Sequence, residues 1–219
     1  MNKLLAVLLL IFVISSCKKE KQISAFTTGT LTDIRDGKIY KTIQIGNQWW
    51  MAEDLNYNAP NSWYYNNDST TYAQTYGRLY LWAIAMNGHA SSSSNPSNVQ
   101  GISPTGWHIP SDAEWTELTN FLSANSLTGD DLKEKGTTHW QPTNTGTNKT
   151  NFSAVPAGTI YNNGSISANI NGYVDYISTT IDSTTGGLWG RGLDYDKAIV
   201  RRVPLGLLNG WSIRCVKDK

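Results

Sequence analysis

Cysteine is nearly missing from this chain. Cys17 and Cys215 are its two thiols, so no framework of several disulfides can staple the fold. No Cys-x-x-Cys zinc site can form either. Histidine is almost as scarce: His89, His108 and His139 stand apart, without metal-ligand spacing. An excess of one charge is also lacking. Eighteen basic residues face 17 acidic ones, for a net charge of +1, which argues against nucleic acid as a partner. There is no Gly-x-Ser-x-Gly elbow. The glycines of Gly186-Gly187-Leu188-Trp189-Gly190-Arg191-Gly192 do not fit the dinucleotide pattern and lie between expected strands. No cofactor or metal is expected. The longest apolar run, Leu4 to Ile14, is about half of the roughly 20 residues that span a bilayer.

That run follows Lys3 and precedes Ser15-Ser16-Cys17. Positive start, short apolar core and small residues make a secretory leader, and the cysteine makes its end resemble a bacterial lipobox. The expectation is cleavage of residues 1–16, a lipid on Cys17, and an outer-membrane lipoprotein that is periplasmic or surface-exposed. A plain secretory leader with an incidental cysteine is the alternative. The membrane is then the expected partner through that lipid, each buried methylene contributing about 0.8 kcal/mol. Without Lys3 the basic and acidic residues balance at 17 each. Residues 17–29 are polar and read as a lipidated tether. Residues 30–218 read as one domain.

What is abundant is aromatic: nine Trp and eleven Tyr. The stretch that organises them is Gly106-Trp107-His108-Ile109-Pro110-Ser111-Asp112-Ala113-Glu114-Trp115. Ser111 is a good N-cap, Glu114 completes a capping box, and Pro110 keeps Ile109 extended. Trp115, Leu118 and Leu122 recur at helical spacing with Phe121 beside them, predicting a helix from Asp112 to about Ser123. Trp107 is placed to pack at its start.

Thr30 to Met51 reads as a small antiparallel meander with turns at Asp36-Gly37 and Gly46-Asn47. Asn58 to Tyr76 has no period and reads as a loop packed by its own aromatics. Gly77 to Asn87 reads as a second, shorter helix ended by Gly88, followed by a serine-rich surface loop. Thr128 caps one turn over Gly129-Asp130-Asp131. From Phe152 onward the chain is β-rich. A hairpin turn falls at Asn163-Gly164, later strands start at Tyr173, Leu188, Ala198 and Trp211, and Pro204 and Asn209-Gly210 act as breaks.

Ile45-Gly46-Asn47-Gln48-Trp49-Trp50-Met51-Ala52-Glu53-Asp54-Leu55, then Gly77-Arg78-Leu79-Tyr80, the Gly106-Trp107-His108 block, Pro156-Ala157-Gly158 and Ser212-Ile213-Arg214-Cys215-Val216 run in order. Together they resemble the Fibrobacter succinogenes major paralogous domain, common in lipoproteins and secreted proteins of Bacteroidota and Fibrobacterota. The resemblance implies an α+β, C-type-lectin-like fold related to the formylglycine-generating-enzyme type. Two main helices would flank small twisted antiparallel sheets, with a ligand surface on the late loops. It also implies a cysteine near Ser103, paired with that of the terminal strand. This chain has Ser103 there, so Cys215 is expected as a buried free thiol.

No nucleophile stands beside a base. His108 is the most tempting imidazole, but a hydrogen bond fixing the approach to the helix is its plainer role. A hydrolase or oxidase using it is the least favoured reading, and one spare cysteine cannot support formylglycine-type oxidation. Glu53 and Asp54 can serve as a metal or acid–base pair, although adjacent carboxylates more often cap or meet water. Gln141-Pro142-Thr143 lacks the carboxylate of a calcium-lectin triplet. The best binding candidate is the loop-rich Asp182 to Lys197, with Asp182, Trp189, Arg191, Asp194 and Tyr195, since Trp, Tyr and Arg concentrate binding energy. Trp189 is equally readable as a core strand residue. The expected function is a non-catalytic binding module for glycan or a surface protein. An architectural or adhesion lipoprotein without a small ligand is the alternative.

Overall fold

The computed structural model describes residues 25–161 and 164–219. The leader, Cys17 with its expected lipid, and Asn163 of the expected hairpin turn lie outside the described residues. No helix among those described is long and apolar enough to cross a membrane.

The meander forms as its residues dictate. Strands β1 (Thr28–Thr32), β2 (Ile39–Ile45) and β3 (Gln48–Met51) pair antiparallel. The first turn is tied by the Asp33 carbonyl, which accepts from Gly37 N–H at 2.8 Å. β1 begins at Thr28, two residues ahead of the expected start. Two short strands from far along the chain complete this sheet: β6 (Trp107–His108) at its edge and β12 (Val216–Lys217) between β3 and β6.

The stretch that reads as a loop contains a helix, α1 (Ser69–Tyr76), after the short strand β4 (Ser62–Trp63). Asp68 caps α1 by accepting from the Thr70 and Thr71 N–H groups. Sequence patterning misses it because Ser-Thr-Thr-Tyr-Ala-Gln-Thr-Tyr has no apolar stripe. Its aromatics still pack on one another, Tyr65–Tyr72 at 5.3 Å and Tyr72–Tyr76 at 5.9 Å. Gly77 ends α1 at φ +63°, where an added Cβ would lie 2.8 Å from the Leu55 carbonyl oxygen, so chirality and close approach both favour glycine. The second expected helix shrinks to α2 (Trp82–Met86), because Leu79-Tyr80 forms strand β5 against β4.

Helix α3 (Asp112–Ala124) is the main helix, with the expected capping box in place. Its buried face packs Trp115 against Trp50 of β3 at 4.5 Å and stacks it on Tyr176 at 5.4 Å. Phe152 closes the cluster edge-on to all three rings. Tyr176 belongs to β9 (Tyr173–Ile181), the edge of a three-stranded antiparallel sheet in which β10 (Leu188–Asp194) lies between β9 and β11 (Arg201–Leu205). The helix therefore joins the two larger sheets through one aromatic stack, aromatic pairs being worth about 0.5–1.5 kcal/mol beyond their burial. β7 (Thr159–Tyr161) and β8 (Ile166–Ala168) form a further hairpin.

Two late readings are corrected. Pro204 does not break a strand: it lies inside β11, opposite Trp189, and is tolerated because β11 is an edge. Of the strand expected from Trp211 to Val216, only the end pairs as β12. Trp211 and Ser212 instead make isolated bridges to Tyr80 and Tyr176. The fold is mixed α+β, with small, mostly antiparallel sheets and few helices.

Candidate functional site

The Gly-Trp-His block brings its residues together, but around a proton rather than a cleft. His108 on β6 is engaged at both ring nitrogens: Nε2 meets Glu114 Oε1 at 2.6 Å and Nδ1 meets Asp218 Oδ1 at 2.7 Å. The other Glu114 oxygen accepts from the Ser97 and Ser111 N–H groups. Burial works against an imidazolium here, yet the hydrogen bonds and charges of Glu114 and Asp218 outweigh it and hold His108 above its ordinary value. With 3 % of its side chain exposed and neither nitrogen free, it is arranged to keep a proton, not to pass one on. Asp218 is invisible in the sequence, since nothing local marks a partner 110 residues away. Trp107, Ser111 and Trp115 are buried around it.

The sign of the resulting pH dependence is fixed. A group raised on folding contributes its full stability below its unfolded value, about 6.5 for histidine. That contribution is lost as pH rises through the folded value. The melting temperature of the native chain is therefore expected to exceed that of His108→Gln most below about pH 6.5, and the gap to narrow toward alkaline pH. A gap that stays constant with pH would exclude a charged His108.

Within Asp182 to Lys197, the strand expected from Leu188 forms as the central strand β10, Leu188 to Asp194, with a turn on either side of it. Asp182 is buried and ties its own turn, accepting from Thr184 N–H and Thr185 Oγ1. The Arg191 guanidinium is buried and bound to Asp112 at 2.6 Å and Thr116 at 2.8 Å, which pins β10 to the start of α3. Trp189 is half-buried beneath Arg202, whose guanidinium carbon lies 3.4 Å from the ring centre. Asp194 pairs with Arg201 and Lys197, and Tyr195 leans on the core. These five side chains are engaged within the fold, Trp189 and Arg191 being linked through Arg202 and Asp112. Glu53 and Asp54 also part: Glu53 accepts from the Lys41 N–H, whereas Asp54 is buried against Arg214. Among the described residues no three His, Cys, Asp or Glu side chains converge as metal ligands.

A concavity among the described residues lies elsewhere, between the β1–β2 turn and α2. It measures about 610 Å³, and Arg35, Tyr57, Asn87, His89 and Gln100 are among its lining residues. Arg35 lies 3.8 Å over the Tyr57 ring, pairs with the buried Asp33 at 2.6 Å and donates to the Ile102 carbonyl at 2.9 Å. Burial would raise Asp33, but Arg35 outweighs it and holds the carboxyl below its ordinary value. The pair is thus neutral and fixed. No sequence signal marks this cleft, because its residues come from separate turns of the chain.

A family model described as the Fibrobacter succinogenes major domain matches residues 43–217, from within β2 to the last residue of β12. The chain belongs to that family. No curated protein and no solved structure matches it. Within this Fibrobacter succinogenes major domain, the His108–Glu114 bond and the Asp54–Arg214 pair are built from the same blocks that carry the resemblance. The Arg35–Tyr57 cleft is not.

Proposed function

We propose that this chain is a lipid-anchored, non-catalytic binding module of the outer membrane. Its lectin-like scaffold holds out a cleft for a glycan or a surface protein. The observation that carries the reading is the cleft itself. Its arginine is already neutralised by Asp33, while a tyrosine, two side-chain amides and an imidazole line it. That mixture suits an uncharged sugar better than an anion. The engagement of both His108 nitrogens supports a binding role over a catalytic one.

Glycan-array binding tests it. Tyr57→Ala with Gln100→Ala is expected to lose the signal, while Trp189→Ala with Tyr195→Ala keeps it. The reverse pattern would return the site to the late strand. No signal on any array would remove the sugar reading. In that event the architectural or adhesion reading gains, because Ile34 and Ile39, 80 % and 67 % exposed, flank the same turn and offer apolar surface to a protein partner.

A further inference from the structure

Lys133 is fully buried, which is rare for lysine unless it is paired. Its ammonium has five oxygens around it: Asp130 Oδ1 at 2.8 Å, Thr145 Oγ1 at 3.2 Å, and the carbonyls of Asp194 at 2.8 Å, Tyr195 at 3.1 Å and Lys197 at 3.2 Å. The Trp140 ring, with its centre 5.7 Å away, forms one wall. An ammonium has three protons to donate, so five acceptors exceed what it can bond directionally. A spherical ion has no such limit.

We propose that these five oxygens are a monovalent-cation cage that the chain fills with its own ammonium. The charge count favours a single positive charge. Among the described residues Asp130 is the one carboxylate in contact, since Asp194 turns to Arg201 and Lys197, and Asp131 turns to Thr147 and Lys149. The five oxygens stand 2.8–3.2 Å from the nitrogen, so calcium or magnesium at that point would require them to close in to roughly 2.3–2.6 Å or roughly 2.0–2.1 Å. The three carbonyls belong to the end of β10 and the segment that follows it, so the cage holds that segment against Asp130 and Thr145. With a tethered cation inside, its shape is independent of the surrounding salts.

The test vacates the cage in the full chain, held in detergent. Lys133→Ala is expected to melt about 10 °C lower than the native chain in choline chloride. Ammonium, potassium or n-propylammonium chloride at equal ionic strength should restore at least half of that loss. The native chain should respond equally to all four salts. Lys133→Met, which fills the space without charge, should gain nothing from the small cations. If Lys133→Ala does not fold in choline, its refolding yield in ammonium gives the same comparison. No recovery in any small cation, or equal recovery in Lys133→Met, would overturn the proposal. Recovery in calcium alone would overturn the monovalent assignment.

Discussion

Replacing Arg214 by methionine is expected to destabilise the domain by about 3–5 kcal/mol, because it strands a charge in the core. Arg214 and Asp54 are both buried and ion-paired. The guanidinium also donates to the carbonyls of Phe152 and Ser153 and lies over the Phe152 ring. Methionine would leave Asp54 without its counter-ion. Burial already pushes the Asp54 carboxyl up, with Arg214 working against it. Without Arg214 the carboxyl takes a proton on folding. A carboxyl raised on folding adds stability that is complete at low pH and lost as pH rises. The Arg214→Met deficit should therefore shrink between about pH 8 and about pH 5 in urea denaturation. Asp54→Asn should show no such recovery, because the stranded guanidinium cannot lose its proton. Equal pH profiles for the two variants would refute the account. Replacing both residues, Asp54→Leu with Arg214→Met, should recover only part of the loss, since the carbonyls of Phe152 and Ser153 still lack donors.

Ser103→Cys is expected to act in the opposite direction. Cys215 is buried and unpaired, and burial pushes its thiol up to about 12, so it is inert as it stands. The Ser103 hydroxyl lies against it, buried and without a hydrogen-bond partner of good geometry. A second thiol at that position faces the first across a loop on the order of 100 residues. In the chain-entropy account, closing such a loop contributes up to about 4.7 kcal/mol. Engineered bridges often deliver less, so a gain of about 2–4 kcal/mol, or roughly 5–15 °C in melting temperature, is the expectation. Under oxidising conditions, alkylation of the unfolded Ser103→Cys variant should find Cys215 and the introduced thiol both blocked. Free reaction of both would show that the serine has not simply taken a half-cystine's place.

Legible in the sequence are the places where local chemistry decides the geometry. The Ser111–Glu114 box, the Thr128 turn and the Gly46-Asn47 turn are short-range hydrogen-bond problems, and each forms as its residues predict. Helix α1 is not legible, because its stability comes from Asp68 at one end and from tertiary packing of Tyr72 and Tyr76, not from an apolar stripe. Arg191 and Asp182 resemble ligand residues by type. Residue type cannot reveal that Asp112, 79 residues before Arg191, is waiting for that guanidinium. The cleft is hidden for the same reason: Arg35, Tyr57, His89 and Gln100 become neighbours only after the strands pair.

The place of β12 has a consequence for biogenesis. The β1–β3 ribbon and the β6 edge cannot join until Val216 slides between them, bonded to Trp50 on one side and His108 on the other. The ribosome delivers that strand after every other element of the domain. The five-stranded sheet is therefore completed only by the last strand of the domain to be made, and a chain cut short before Val216 would leave β3 and β6 with unpaired edges.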